Sequence, residues 1–169
     1  SVLLPGLINC HTHAAMNVYR SMADDLPFMQ WLQDHVWPAE CATMNPELVS
    51  IGSKLACAEM LRSGATCFND HYFFPDVTAK ICAEIGIRAN LGIQMMDIQT
   101  AWADDAEDAL NKGLIILEQE HSELITWALA PHAPYSVSDD AFTRIKQVSA
   151  SKNLKIHLKI DIFFFCWVA

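Results

Sequence analysis

The sequence carries no Cys-X-X-Cys pair, no Gly-X-Gly-X-X-Gly run and no apolar stretch long enough for a membrane helix. Each absence removes a class of protein. The six cysteines stand apart, at positions 10, 41, 57, 67, 82 and 166, so neither a zinc knuckle nor a secreted disulfide framework fits, and buried reduced thiols are expected. Without the glycine fingerprint after the first strand, a dinucleotide site has no support. The apolar ending Phe163-Phe-Phe-Cys-Trp-Val-Ala169 is far short of the roughly 20 residues a spanning helix needs. No signal peptide is visible. Basic residues are scarce: 11 Lys and Arg against 20 Asp and Glu give a net charge of −9, the balance of an acidic cytoplasmic protein and the wrong sign for nucleic acid. Charged residues make up 18% and hydrophobic ones 52%, so the chain must bury a core or meet a partner. It opens on Ser1 rather than Met and runs at once into core-like sequence, which suggests that a start is missing.

What is present is a regular alternation of strands and helices. Val2 to His13 reads as strand one, with Val2-Leu3-Leu4 and Leu7-Ile8 as a buried parallel strand. Asn45-Pro46-Glu47 starts a helix with an N-cap, a first-turn proline and an acid at the dipole's positive end. Leu48, Ile51, Leu55 and Ala58 would be its apolar stripe and Gly64 its stop. Further strands are expected at Ala65 to Asn69, Arg88 to Met96, Leu124 to Ala130 and Leu154 to Ile160. Helices are expected around Val77 to Ile85, Ala106 to Glu120 and Ser138 to Ser151. Such units imply parallel strands, in a doubly wound sheet or in part of a barrel. A complete barrel needs eight units and about 250 residues. The fold class expected is therefore α/β: a partial (β/α)8 TIM-type barrel of four to five units over residues 1–160, followed by an atypical tail at 161–169.

The chemistry sits at the end of strand one. His11 and His13 are two residues apart, so both side chains face the same way and can reach one metal ion. They lie where a strand hands over to a loop, the place at which barrel enzymes carry catalytic groups. The long connection from Ala14 to Met44 is too apolar for disorder. In it Phe28, Trp31, Leu32 and His35 have helical spacing, either to pack over the barrel mouth or to line a pocket for a flat aromatic ligand.

These residues resemble the amidohydrolase superfamily, and within it the 5-methylthioadenosine/S-adenosylhomocysteine deaminases and their triazine-hydrolase-like relatives. The resemblance runs from Val2 to about His157. It rests on Pro5-Gly-Leu-Ile-Asn-Cys-His-Thr-His13, Ala23-Asp-Asp-Leu-Pro27, Trp31-Leu32, Trp37-Pro-Ala-Glu40, Gly64-Ala-Thr-Cys-Phe-Asn-Asp70 and Ala130-Pro-His-Ala-Pro-Tyr-Ser136. It implies hydrolytic deamination of an adenine ring, assisted by one divalent metal, usually zinc, with a glutamate as proton donor. The family's small flanking β-sandwich domain is missing from this stretch. Residue by residue, His11 and His13 match the first two metal ligands. Glu40 matches a residue expected to hold the ribose hydroxyls, and His132 a substrate-contacting histidine. His35, His71 and His121 match no functional position and read as structural.

The resemblance fails at strand five. Relatives read Ile-His-X-His-X-X-Glu there, whereas this chain reads Ile156-His-Leu-Lys-Ile-Asp-Ile162. Lys159 stands at the third ligand position and Ile162 at the glutamate. A shift of register would make His157 the substitute ligand. A change of reading frame near Leu158 is one explanation, and the fragment is expected to be inactive. The alternatives are another amidohydrolase, such as a guanine, cytosine or triazine deaminase or chlorohydrolase, and a non-catalytic half-barrel. The expected partners are a purine nucleoside and a further copy of the chain, with no nucleic acid and no membrane.

Overall fold

The computed structural model describes residues 2–160. Five strands, β1 (Leu7–Thr12), β2 (Ala65–Tyr72), β3 (Arg88–Met95), β4 (Ile125–Pro131) and β5 (Lys155–Ile156), lie in one sheet in the order β1-β2-β3-β4-β5. Every neighbouring pair is parallel. A doubly wound sheet reverses its strand order at a switch point. Here each strand pairs with the next in sequence, as in the wall of a barrel, so the expected α/β half-barrel is the fold observed. The expected tail at 161–169 lies outside the described residues. No helix among the described residues is long and apolar enough to cross a membrane.

The connections carry the helices. A 3-10 turn (Ala14–Tyr19) follows β1. Then comes a helical run made of α1 (Phe28–Gln30), a π-helical segment (Trp31–Val36) and α2 (Trp37–Thr43). Next is α3 (Pro46–Arg62), and α4 (Pro75–Ile85), α5 (Ala106–Leu117) and α6 (Asp139–Lys152) link the later strands. The Asn45 cap forms as expected: its side chain accepts from the Leu48 amide at 3.0 Å. Ser138 and Asp105 cap α6 and α5 in the same way. Gly64 and Gly86, at φ +88° and +84°, close α3 and α4 in a conformation that other residues adopt at a cost.

Three expectations need correction. Strand one begins at Leu7, not Val2, and Val2, Leu3 and Leu4 are 85%, 98% and 75% exposed instead of buried. The reason is that β1 is an edge strand, paired among the described residues only with β2. Strand five is two residues long: the His157 amide still donates to the Leu129 carbonyl of β4 at 2.8 Å, but 158–160 carry no strand pairing although the apolar alternation there suggests it. The inward face of α3 was also misplaced. Ile51 and Leu55 are exposed, and the buried face is Val49, Gly52, Ser53, Ala56, Cys57 and Met60. Small residues win because the turn after β1 crosses α3 at backbone distance: a Cβ on Gly52 would lie 2.3 Å from the Ala15 carbonyl oxygen.

That contact gives a stability prediction. Gly52→Ala should destabilise the fold by about 1–3 kcal/mol through overpacking against a rigid backbone, read as a lower urea midpoint at unchanged slope. An unchanged midpoint would show that the turn is not seated on α3. The same turn is held from outside by Arg20, whose guanidinium bonds Glu59 at 2.9 and 2.6 Å. Those bonds, with one from Asn17, hold the Glu59 carboxyl down at about 2, below its ordinary 4.5. A depressed folded-state value means that the stabilisation is complete above about pH 4.5 and fades as pH falls toward 2. The thermal gap between the natural chain and Glu59→Gln should therefore be small, close as pH drops through that window, and shrink in high salt.

Candidate active site

The carboxyl ends of β1, β2 and β4, with the segment after β5, bring five histidines together. His11 and His13 come from β1, with ring centroids 5.0 Å apart. His71 comes from β2, His132 follows β4, and His157 follows β5. The His71 centroid lies 5.8 Å from His11, 5.7 Å from His13, 5.9 Å from His132 and 5.1 Å from His157. His11 Nδ1 and His157 Nε2 are 2.9 Å apart and share a hydrogen bond. His11, His71 and His157 each offer a ring nitrogen, all within 4.8 Å of one another.

Two of the rings have fixed tautomers. His13 Nδ1 bonds the backbone carbonyl of His71, and His71 Nε2 bonds the carbonyl of Ala130 at 3.0 Å. A carbonyl only accepts, so each bonded nitrogen carries the hydrogen. The opposite nitrogen of each ring, His13 Nε2 and His71 Nδ1, is left with its lone pair. Burial lowers the pKa of His13 to about 3, against the opposing pull of the carbonyl bond. Burial also lowers His71, far below the ordinary range, and more mildly His157 and His11. His11, His13, His71 and His157 are thus favoured as neutral imidazoles, the form that binds metal.

Behind the histidines lies the buried Asp70, whose Oδ1 accepts from the Ala14 amide at 2.7 Å. Burial raises its carboxyl to about 7. Ala14 is the residue after His13, so this bond fixes the turn that aims His13.

Beside the cluster a pocket opens under the helical run, lined by His13, Phe28, Trp31, Glu40, His132 and Lys159 among others. Phe28, Trp31 and Leu32 of the long connection line this pocket, and His35 is not part of it. Glu40 is 5% exposed and its Oε1 accepts from the Tyr72 hydroxyl at 2.5 Å. Burial lifts Glu40 to about 7, with the Tyr72 bond opposing. His132 is buried and its Nδ1 pairs with Ser136 Oγ at 2.8 Å. Lys159 also lines the pocket, with its Nζ 5.9 Å from the Phe28 ring centroid.

The structure therefore gathers all the residues singled out in the sequence, Glu40, His132, His11, His13, Lys159 and His157, around one mouth. It adds His71, which the sequence reading had set aside as structural. The available signal was position: His71 lies near the carboxyl end of a parallel strand, as His11 and His13 do. His121 is structural as expected, its Nε2 bonding the Ile116 carbonyl at 2.8 Å at the end of α5.

A half-barrel of parallel strands with histidines at their carboxyl ends defines a class of barrel hydrolase, and comparison with known proteins specifies it. Residues 2–160 match the amidohydrolase family, and the chain belongs to that family. It is 48% identical over 145 residues to the 5-methylthioadenosine/S-adenosylhomocysteine deaminase of Saccharophagus degradans, covering 85% of this chain and 32% of that protein. It is 37% identical to the 5'-deoxyadenosine deaminase of Methanococcus vannielii, covering 95% of this chain and 38% of that one. Among solved structures, an adenosine deaminase from Xanthomonas campestris with bound zinc superposes with a TM-score of 0.87 at 44% identity, over 91% of this chain and 35% of that one. The chain thus spans about a third of the length of the curated relatives it matches. The triazine hydrolase of Arthrobacter aurescens, at 21% identity and a TM-score of 0.80, shares the fold.

Asp70 supplies the test of this geometry. Asp70→Ala leaves the Ala14 amide buried without an acceptor and should cost about 1–3 kcal/mol. Asp70→Asn keeps an acceptor oxygen and should recover most of that loss. Equal midpoints for the two variants in urea denaturation would show that the bond does not hold the turn.

Proposed function

We propose that this chain forms the first half of the barrel of a metal-dependent hydrolytic deaminase acting on the adenine ring of a thioadenosine or S-adenosylhomocysteine-type nucleoside. The observation that carries the reading is the pocket. It places a buried carboxylate, Glu40, and a buried imidazole, His132, beside the histidine cluster under an aromatic roof. Phe28 and Trp31, with centroids 6.1 Å apart, offer flat surfaces to a purine. Glu40, once ionised, accepts from two vicinal ribose hydroxyls, with Tyr72 holding the carboxylate in place. The Nδ1 contact to Ser136 fixes the orientation of the His132 ring.

Neutral imidazoles with orphaned lone pairs suit a divalent ion, zinc above all. His11 and His13 would hold it, as the family resemblance implies. Bound zinc supplies a water that is activated at neutral pH. The resemblance places a histidine at Lys159 and a proton-donating glutamate at Ile162, so the fragment by itself binds nucleoside without turning it over. The acidic balance fits a cytoplasmic protein. The exposed apolar residues along β1, Leu7 and Ile8 among them, favour association with a further copy.

Binding of 5-methylthioadenosine, followed by quenching of tryptophan fluorescence, tests this. Glu40→Gln should weaken binding by about 10-fold to 150-fold, the worth of a hydrogen bond to a charged group. No ammonia should be released above the blank. Failure to bind, or tighter binding of a chlorotriazine, would overturn the substrate class, and measurable deamination would overturn the inactivity of the fragment.

A further inference from the structure

We propose that Gln94 reads the exocyclic amine of the bound nucleoside, its Oε1 accepting an amine hydrogen and so favouring an aminopurine over an oxopurine. The inference deepens the nucleoside reading above and rests on it. Gln94 is 5% exposed, stands near the end of β3 and lines the same pocket as Glu40, His132 and Trp31. Its Oε1 is buried and has no hydrogen-bond partner among the described residues. A buried acceptor in that state is uncommon and costly, and in a pocket wall a ligand can satisfy it.

The surroundings decide which end of the amide meets the ligand. Gln94 Nε2 donates to the Met96 thioether at 3.8 Å. That sulfur is a weak acceptor and has no hydrogen to give. Turning the amide over would set its oxygen against the sulfur and leave both without a donor. The NH2 therefore stays on Met96, and the oxygen is the end left for the ligand. The bond to sulfur is weak and the terminal torsion of glutamine is broad, so the oxygen can swing to a ligand that enters.

Two arguments then pick the donor. On 5-methylthioadenosine the only donating groups are the two ribose hydroxyls and the exocyclic amine. Glu40 takes the hydroxyls in the reading above, which leaves the amine. The second argument is position. His71 on β2 is in register with Gly92 on β3, and Gln94 is two residues further along that strand. Residues two apart on a strand share a face, so Gln94 stands on the His71 side of the sheet, one step nearer the carboxyl ends. Hydrolysis at the amine-bearing carbon needs that edge of the purine turned toward the histidines, which brings the amine to the Gln94 side.

Paired titrations of the natural chain, followed by tryptophan fluorescence, test this with 5-methylthioadenosine and its 6-oxo counterpart, 5-methylthioinosine. The amine form should bind at least about tenfold more tightly. Gln94→Met is close in volume and lacks the acceptor, so it should bring that ratio near unity by weakening the amine form alone. Gln94→Glu keeps an acceptor oxygen and should retain the preference. Gln94→Ala serves in place of Gln94→Met if the latter does not fold. No binding of either nucleoside would overturn the nucleoside reading and this assignment with it. Equal binding of the two by the natural chain would overturn the assignment alone. So would a Gln94→Met loss that falls equally on both, or one that vanishes with 2′-deoxy-5-methylthioadenosine, since the oxygen would then serve the ribose.

Discussion

The hydrogen bond from the Ala14 amide to the buried Asp70 carboxylate ties the turn after β1 to the end of β2, and the site is arranged around that tie. The next two residues of β2 extend it. The His71 backbone carbonyl takes the Nδ1 hydrogen of His13, and the Tyr72 hydroxyl takes hold of Glu40. Three consecutive residues thus set the entry turn, the tautomer of one histidine and the position of the buried Glu40 carboxylate. All three are buried, where polar contacts are strong when satisfied and costly when broken. Because β2 pairs with both β1 and β3, this anchor stands on the sheet and not on a loop.

Burial does a second thing at the same place. It keeps His13 and His71 neutral. Lys159 works against any cation there, and its charge is among the influences that lower His11 and His13. The half-barrel therefore carries a preformed nest of imidazoles beside a residue of the wrong sign.

Much of this was legible in the sequence because it is local. The strand-helix alternation, the Asn45 cap, the glycine stops and the His11–His13 spacing each depend on neighbours a few residues away. What was not legible depends on residues far apart. The buried face of α3 follows from how closely the Ala15 carbonyl approaches Gly52, which no helical periodicity encodes. Val2 to Leu4 read as core because they are apolar, yet exposure at a sheet edge is decided by which strands are present to cover it. His71 read as structural because no motif marks it, and its place among the other histidines emerges only when β1, β4 and the segment after β5 converge on it. His157 is still held on the sheet by its amide, which donates to the Leu129 carbonyl of β4 at 2.8 Å, whereas Lys159 lies beyond the last strand.

The most direct measurement is diffraction from crystals of the zinc-loaded chain at the zinc absorption edge. An anomalous peak bonded to ring nitrogens of His11 and His13, with the His71 carbonyl still bonded to His13 Nδ1, is the predicted result. Zinc confined to surface carboxylates, or none bound at the carboxyl ends of the strands, would contradict the account.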